Sequence, residues 1–252
     1  MLVVVFFCNY IVDYMSKKYQ VVDNVDIYII TMKGEKRMKN IEKQMAKLKD
    51  GNFNTDNVHL IDAIVGKTLD LDKLISEGVL DANADLNEEP DPQERLATHK
   101  REVGCYLSHM KAFETVLEKN KEGYSIIFED DFNLLDNFLP ILDETLMKIK
   151  KIDFDILFLG IIAIHRGDNV VDNVYHIHDS VAWGAHAYLI NNKSAAKIIE
   201  HMKYIETVLD KQLIDNGRSK ELTVLRLDPL IANTSGDLSS GIRGAVWVDD
   251  VV

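Results

Sequence analysis

Three consecutive carboxylates, Glu129, Asp130 and Asp131, end the apolar run Ser125-Ile126-Ile127-Phe128. Like charges this close repel one another, and a nearby cation is the simplest way to stabilise them. Mg2+ and Mn2+ prefer such oxygen ligands and readily complete their shell with phosphate oxygens. The run therefore points to a divalent ion and a diphosphate-bearing substrate. Alternation places Glu129 and Asp131 on the same side of an extended chain. Asp131 is the first expected direct ligand, with Glu129 beside it. A Glu-x-Asp pair and an Asp-Asp pair both fit the run, and a solvated acidic turn is the plainer reading of the same residues.

For these carboxylates to face a ligand, residues 124–128 must form a strand that ends at a cleft. Open parallel sheets bind ligands beyond the carboxyl ends of their strands. The neighbouring pattern supplies such a sheet. Residues 25–30 (VDIYII) read as a buried strand, followed by the polar turn TMKGEKR. A helix is expected from Glu35 to Leu48, with Ile41, Met45 and Leu48 as its apolar stripe. Asp50-Gly51-Asn52 ends it, and residues 57–64 form the next strand. Strand, helix, strand in this order is a crossover unit feeding a parallel sheet. Residues 66–98, polar and acidic with Pro90 and Pro92, read as a long surface loop with short helices. A helix follows from Val103 to Lys119, and Gly123 resets the chain before the strand of the carboxylates. Further on, the pattern predicts a helix over 138–149, a strand over 154–159 stopped by Gly160, and a less regular stretch over 161–177 that holds a loop or a hairpin. A strand is expected over 185–190, a helix over 193–202, a helical or mixed segment over 204–214, and a short strand over 223–227. The Gly/Ser/Asn-rich stretch 232–244 reads as a loop able to cover a site. Residues 1–24 are an N-terminal extension or an extra strand, and 25–252 form one α/β domain.

Composition narrows the partners. The formal net charge is −12 over 252 residues, with no Lys/Arg block, which argues against nucleic acid. The opening MLVVVFFC is too short to span a bilayer and lacks a basic leader, so no membrane span and a cytoplasmic location are expected. The two cysteines, Cys8 and Cys105, imply no disulfide scaffold. Cys105 falls in an apolar helical pattern and reads as packing, as does Val5-Phe6-Phe7. His176-x-His178 has ligand spacing but no companion ligands, and His165 lies in the same irregular stretch.

Taken in order, several blocks resemble a known family. They are Glu102-Val103-Gly104-Cys105-Tyr106-Leu107-Ser108-His109, Ile127-Phe128-Glu129-Asp130-Asp131, Phe154-Asp155-Ile156-Leu157-Phe158-Leu159-Gly160 and Trp183-Gly184-Ala185-His186-Ala187-Tyr188-Leu189-Ile190. Asp210 with Leu213 and the Pro229–Leu238 region complete the set. The chain resembles glycosyltransferase family 25, the lipooligosaccharide and collagen hydroxylysine galactosyltransferase-like proteins, over about residues 26–240. The resemblance implies a GT-A-like fold with a central, mostly parallel sheet flanked by helices. It also implies a nucleotide-sugar donor, usually UDP-linked, inversion at the sugar carbon, and Mn2+ or Mg2+ at Glu129-Asp130-Asp131. Two departures stand out. Thr31-Met32-Lys33-Gly34-Glu35-Lys36-Arg37 replaces an Asn-Leu continuation followed by arginines, and Arg101 replaces a glycine.

With that resemblance, the remaining candidates take roles. Asp130 contacts ribose or lies outside the direct metal shell. Lys33 and Arg37 pair with diphosphate or uridine groups, or are an ordinary solvated helix start, and Thr31 adds a hydroxyl near the base. Lys100 and Arg101 make a second basic spot. Ser108 and His109 point apart on a helix and are no nucleophilic couple. Their block lies near the donor cleft, where His109 orients an acidic neighbour or contacts phosphate. Asp210 is the first candidate for the base that takes the acceptor proton. Asp237 is the second, or binds donor or metal. Trp183 stacks on a sugar or packs in the core. The expected activity is metal-dependent, inverting transfer of galactose or glucose from a UDP-sugar to a saccharide or hydroxylysine-containing protein acceptor. A non-catalytic nucleotide-sugar binder and a metal-dependent phosphohydrolase are the alternatives.

Overall fold

The computed structural model describes residues 19, 21–163, 167–177 and 182–235. His165, His178, Asp237, Cys8 and the Val5-Phe6-Phe7 run lie outside the described residues.

The chain opens with β1 (Asp26–Thr31), α1 (Glu35–Asp50) and β2 (Val58–Asp62), the crossover unit expected from the sequence. Next come α2 (Leu71–Ser76), β3 (Leu80–Asp85), α3 (Pro92–Lys119), β4 (Tyr124–Glu129) and β5 (Phe132–Leu134). The second half holds α4 (Phe138–Ile149), β6 (Ile156–Ala163), β7 (Asn169–Val171), β8 (Val174–His176) and β9 (Ala182–Asn191). It finishes with α5 (Ala195–Met202), β10 (Ile205–Thr207), α6 (Leu209–Arg218), β11 (Val224–Leu227) and β12 (Ala232–Thr234).

Eight strands form one sheet in the order β2-β1-β4-β9-β6-β11-β8-β7. β1 runs parallel to β2 and β4, and β6 parallel to β11. β9 is antiparallel to both of its neighbours, and β8 and β7 are antiparallel additions at one edge. Residues alternate across this sheet, so each strand feeds two cores. Tyr28, Ile30, Ile127, Phe158 and Tyr188 pack under α3, α5 and α6. Ile27, Ile29, Ile126, Phe128, Leu157 and Leu189 pack under α1 and α4. The class is α/β with helices on both faces, as the resemblance implied.

Several expectations need correction. The stretch 66–98 is not mainly loop: it holds α2, β3 and the start of α3, and β3 pairs in parallel with the distant β10. α3 begins at Pro92, eleven residues before the expected Val103. The Asp91 side chain accepts from the amides of Gln93 and Glu94, both at 2.9 Å, and proline at the first helical position has no amide that needs a partner. β6 does not stop at Gly160 but runs through it to Ala163; the rest of 161–177 holds the β7–β8 hairpin, one of the two forms expected there. Within 232–244, residues 232–234 form β12, antiparallel to β5.

Two glycines let α3 approach the sheet. A Cβ at Gly104 would lie 2.8 Å from the Ile64 carbonyl oxygen, and one at Gly66 would lie 2.1 Å from that of Lys100. Only backbones without side chains can pack this closely, and the contact presses the middle of α3 against the segment that follows β2.

Candidate active site

β1 and β4 are parallel neighbours, with Ile30 opposite Glu129. Their carboxyl ends therefore deliver Thr31 and the acidic run to one edge of the sheet. β9, reversed, brings its early residues to the same edge: Ala187 stands opposite Phe128, one step from His186 and Glu129. α3 closes the other side. The resulting cleft, with a volume of 130 Å³, is lined among others by Thr31, Arg37, Arg101, Cys105, His109 and all three carboxylates.

The turn after β4 is held from α1. Asn40 and Gln44, one helical turn apart and buried, face it together. The Asn40 amide donates to the carbonyls of Asp130 (3.0 Å) and Phe132 (2.8 Å), and Gln44 accepts from the Leu134 amide (3.1 Å). From the far end of the chain, the Ser235 amide donates to the Asp131 carbonyl at 2.6 Å. These bonds leave the acidic side chains aimed inward.

Asp130 and Asp131 are each 5% exposed. Arg37 forms an ion pair with Asp130 and stands 3.9 Å from Asp131. The Met32 amide donates to Asp130 at 3.3 Å. Burial nevertheless raises the Asp130 carboxyl above its usual range, against the pull of Arg37. Asp131 is pushed up to about 7 by burial and then by the charge of Glu129. Its Oδ1 is buried with no hydrogen-bond partner. Burial also pushes Glu129 up, but the facing His109, with His186 and Arg37, outweighs it and holds this carboxyl below its usual range.

His109 is buried, with Nδ1 2.6 Å from the Tyr188 hydroxyl and Nε2 3.5 Å from Glu129 Oε1. It is thus set against an acidic neighbour. Ser108 lines the cleft, but its hydroxyl donates to the Gly104 carbonyl (2.6 Å) and accepts from the Ile64 amide (2.8 Å), which fastens α3 to the segment after β2. Thr31 is buried at the end of β1 and accepts from the Lys33 amide. Lys33, in a left-handed conformation with φ 60°, is exposed, pairs with Asp62 and does not line the cleft.

Trp183 and Asp210 are not among the lining residues. Trp183 pairs with Ile162 near the start of β9. Asp210, in the first turn of α6, accepts from the Gly184 amide (2.5 Å) and the Lys211 amide (2.8 Å), and its charge reaches Cys105.

Sequence reasoning missed the roles of Cys105 and of Asn40 with Gln44; His186 it placed, with Gly184 and Tyr188, on one of two alternating strand faces, either of which could meet the cleft. Cys105, read as packing, lines the cleft, and its sulfur lies within 4.8 Å of ligand atoms of His109 and Glu129. The spacing of four residues between Cys105 and His109 carried that signal. His186 is buried with Nε2 unpartnered, in space that Gly160 frees: a Cβ there would lie 2.5 Å from that nitrogen. Asn40 and Gln44 gave only polar positions in a helix of mixed pattern.

The family model of glycosyltransferase family 25, described as LPS biosynthesis protein, matches residues 24–213. The chain belongs to glycosyltransferase family 25. Among family-25 relatives, procollagen galactosyltransferase 1-A of Xenopus laevis is 25% identical over 191 residues, 68% of this chain and 30% of its own length. Inactive glycosyltransferase 25 family member 3 of Mus musculus is 33% identical over 222 residues, 77% of this chain and 36% of its own length. This family-25 chain therefore spans about a third of those relatives. Among solved structures, apo UDP-glucose pyrophosphorylase aligns with a TM-score of 0.43 at 7% identity, over 81% of this chain and 90% of that one. Among the described residues no helix is long and apolar enough to cross a membrane.

Proposed function

We propose that this family-25 chain is a metal-dependent, inverting glycosyltransferase that moves galactose or glucose from a UDP-sugar to a hydroxyl of a saccharide or a hydroxylysine-containing protein. The observation that carries this reading is the buried Asp131, with an oxygen that has no protein partner, beside Glu129 at the carboxyl ends of two parallel strands. Such a donor set fits a hard divalent ion. Asp131 and Glu129 would hold Mn2+ or Mg2+, which when bound neutralises the donor diphosphate and stabilises the leaving nucleotide.

The protein groups around it have separate tasks. Arg37 keeps Asp130 paired and presents its guanidinium at the cleft wall, where a diphosphate can share it. His109 fixes the direction of Glu129. Asp130 and Thr31, at the end of β1, are proposed to meet the nucleoside. The acceptor hydroxyl attacks the sugar carbon opposite the departing UDP, and a carboxylate takes its proton, so no covalent enzyme intermediate forms. Asp210 is proposed as that base, and Asp237, two residues past the Ser235 that bonds Asp131, is the second candidate.

Calorimetric titration with UDP, UDP-glucose and UDP-galactose, in Mn2+ and in EDTA, tests this reading. Mn2+-dependent binding of a UDP-sugar is expected, and its loss in a folded Asp131→Asn variant. Undiminished turnover by that variant would remove the metal assignment. A second reading, a nucleotide-sugar binder without transfer, has its own support. Lys33 pairs with Asp62 and Arg37 with Asp130, and three matched relatives are named inactive or probable inactive. Donor binding without transfer to any saccharide or hydroxylysine peptide would favour it.

A further inference from the structure

We propose that Cys105, His109 and Glu129 form a binding site for a thiophilic first-row ion of the Zn2+ class, chemically distinct from the hard-cation position at Asp131. The site does not depend on the donor reading, although Glu129 is common to both.

The placement follows from the elements. Cys105 and His109 are one turn apart on α3 and share a face. β4 ends opposite them with Glu129. The three ligand atoms lie within 4.8 Å of one another. Zn2+ bonds of about 2.0–2.3 Å place tetrahedral ligands roughly 3.3–3.8 Å apart. The 3.5 Å from His109 Nε2 to Glu129 Oε1 already matches. The remaining separations, at most 4.8 Å, would close by rotation of the Cys105 and Glu129 side chains.

The second observation is the state of the nitrogen. His109 is fully buried, yet its Nε2 has no hydrogen-bond partner. Its Nδ1 is engaged by the Tyr188 hydroxyl at 2.6 Å, and the two rings stack. An outer hydrogen bond on one ring nitrogen is how proteins aim the other at a metal. Three buried atoms near Glu129 make no hydrogen bond: His109 Nε2, which faces Glu129 at 3.5 Å, His186 Nε2 and Asp131 Oδ1.

Burial, and after it the charges of Glu129, Asp210, Asp131 and Glu102, push the Cys105 thiol well above its usual range. An added cation relieves that concentration of negative charge and stabilises the thiolate, the form that ligates. Thiolate with imidazole selects Zn2+ over Mg2+, which favours oxygen. All three ligands line the cleft, so a fourth position opens onto it, as in three-ligand sites that keep an exchangeable position.

Co2+ added to the metal-free Cys8→Ser protein reports the site. A thiolate-to-Co2+ charge-transfer band and intense visible bands of four-coordinate Co2+ are expected, both displaced by Zn2+. Cys105→Ser should abolish the charge-transfer band, and His109→Gln should collapse the visible bands. Asp131→Asn should keep both while losing Mn2+-dependent UDP binding. Should the Cys105 variant not fold, alkylation decides: Zn2+ should slow modification of Cys105 at least tenfold, and Mg2+ should not. No charge-transfer band in folded protein, or no protection by Zn2+, would leave His109 and Glu129 as an ion pair only and overturn the proposal. Intact Co2+ bands with no UDP binding under any condition would support this site and count against the donor reading alone.

Discussion

At the residue scale, Asp131 carries a cost that ligands can relieve. Its carboxyl is pushed up to about 7 in the folded chain, against about 4 for an unfolded aspartate. Between those values the folded protein binds more protons than the unfolded one, so stability falls as pH rises through that window. Asp131→Asn removes the penalty. In EDTA at pH 8 the variant should be more stable than wild type by about 2–4 kcal/mol, and the difference should shrink toward pH 4. Thermal unfolding across this range checks it, and parallel curves for the two proteins would contradict it. The place of the acidic run was legible in the sequence, because an apolar strand that runs straight into three carboxylates puts them at its end. The fate of the basic residues was not. Lys33 turns outward through a left-handed backbone, and Arg37 meets Asp130 only because α1 packs across the end of β4.

At the scale of elements, α1 serves as a brace for the turn that holds the carboxylates. Asn40→Leu keeps the helix and its size but leaves the Asp130 and Phe132 carbonyls without their donor. A loss of about 1–3 kcal/mol in urea unfolding is expected, together with weaker Mn2+-dependent UDP binding. Normal metal-dependent binding in that variant would show that the turn is held elsewhere. Strand and helix order over residues 25–62 could be read directly, since strand and helix periods alternate cleanly there. The first eleven residues of α3 could not, because residues 92–102 are mostly polar and show no stripe. Asp91-Pro92 was nevertheless a start signal in the sequence. The pairing of β3 with β10 joins segments far apart in the chain, which no local pattern reveals.

At the scale of the whole molecule, the two cores are two faces of one sheet. Phe113 fills one and Leu142 the other, both fully buried. Because the same strands support both, we expect the described body to unfold in a single transition. Phe113→Ala and Leu142→Ala should each lower that one melting temperature, at a cost of about 3–5 kcal/mol apiece. Two separate transitions, each sensitive to one variant, would show two independent units.

The reversed β9 also sets an order of events. β4 and its carboxylates lie at the middle of the chain, but the strand beside them and the amide of Ser235 arrive from far downstream. Contacts so distant in sequence form slowly. During folding the acidic run therefore remains in water, with its charges separated by solvent, until the second half of the chain docks. Desolvation of those charges falls on the final steps, so Mn2+ present during refolding should speed the last phase and leave the first unchanged.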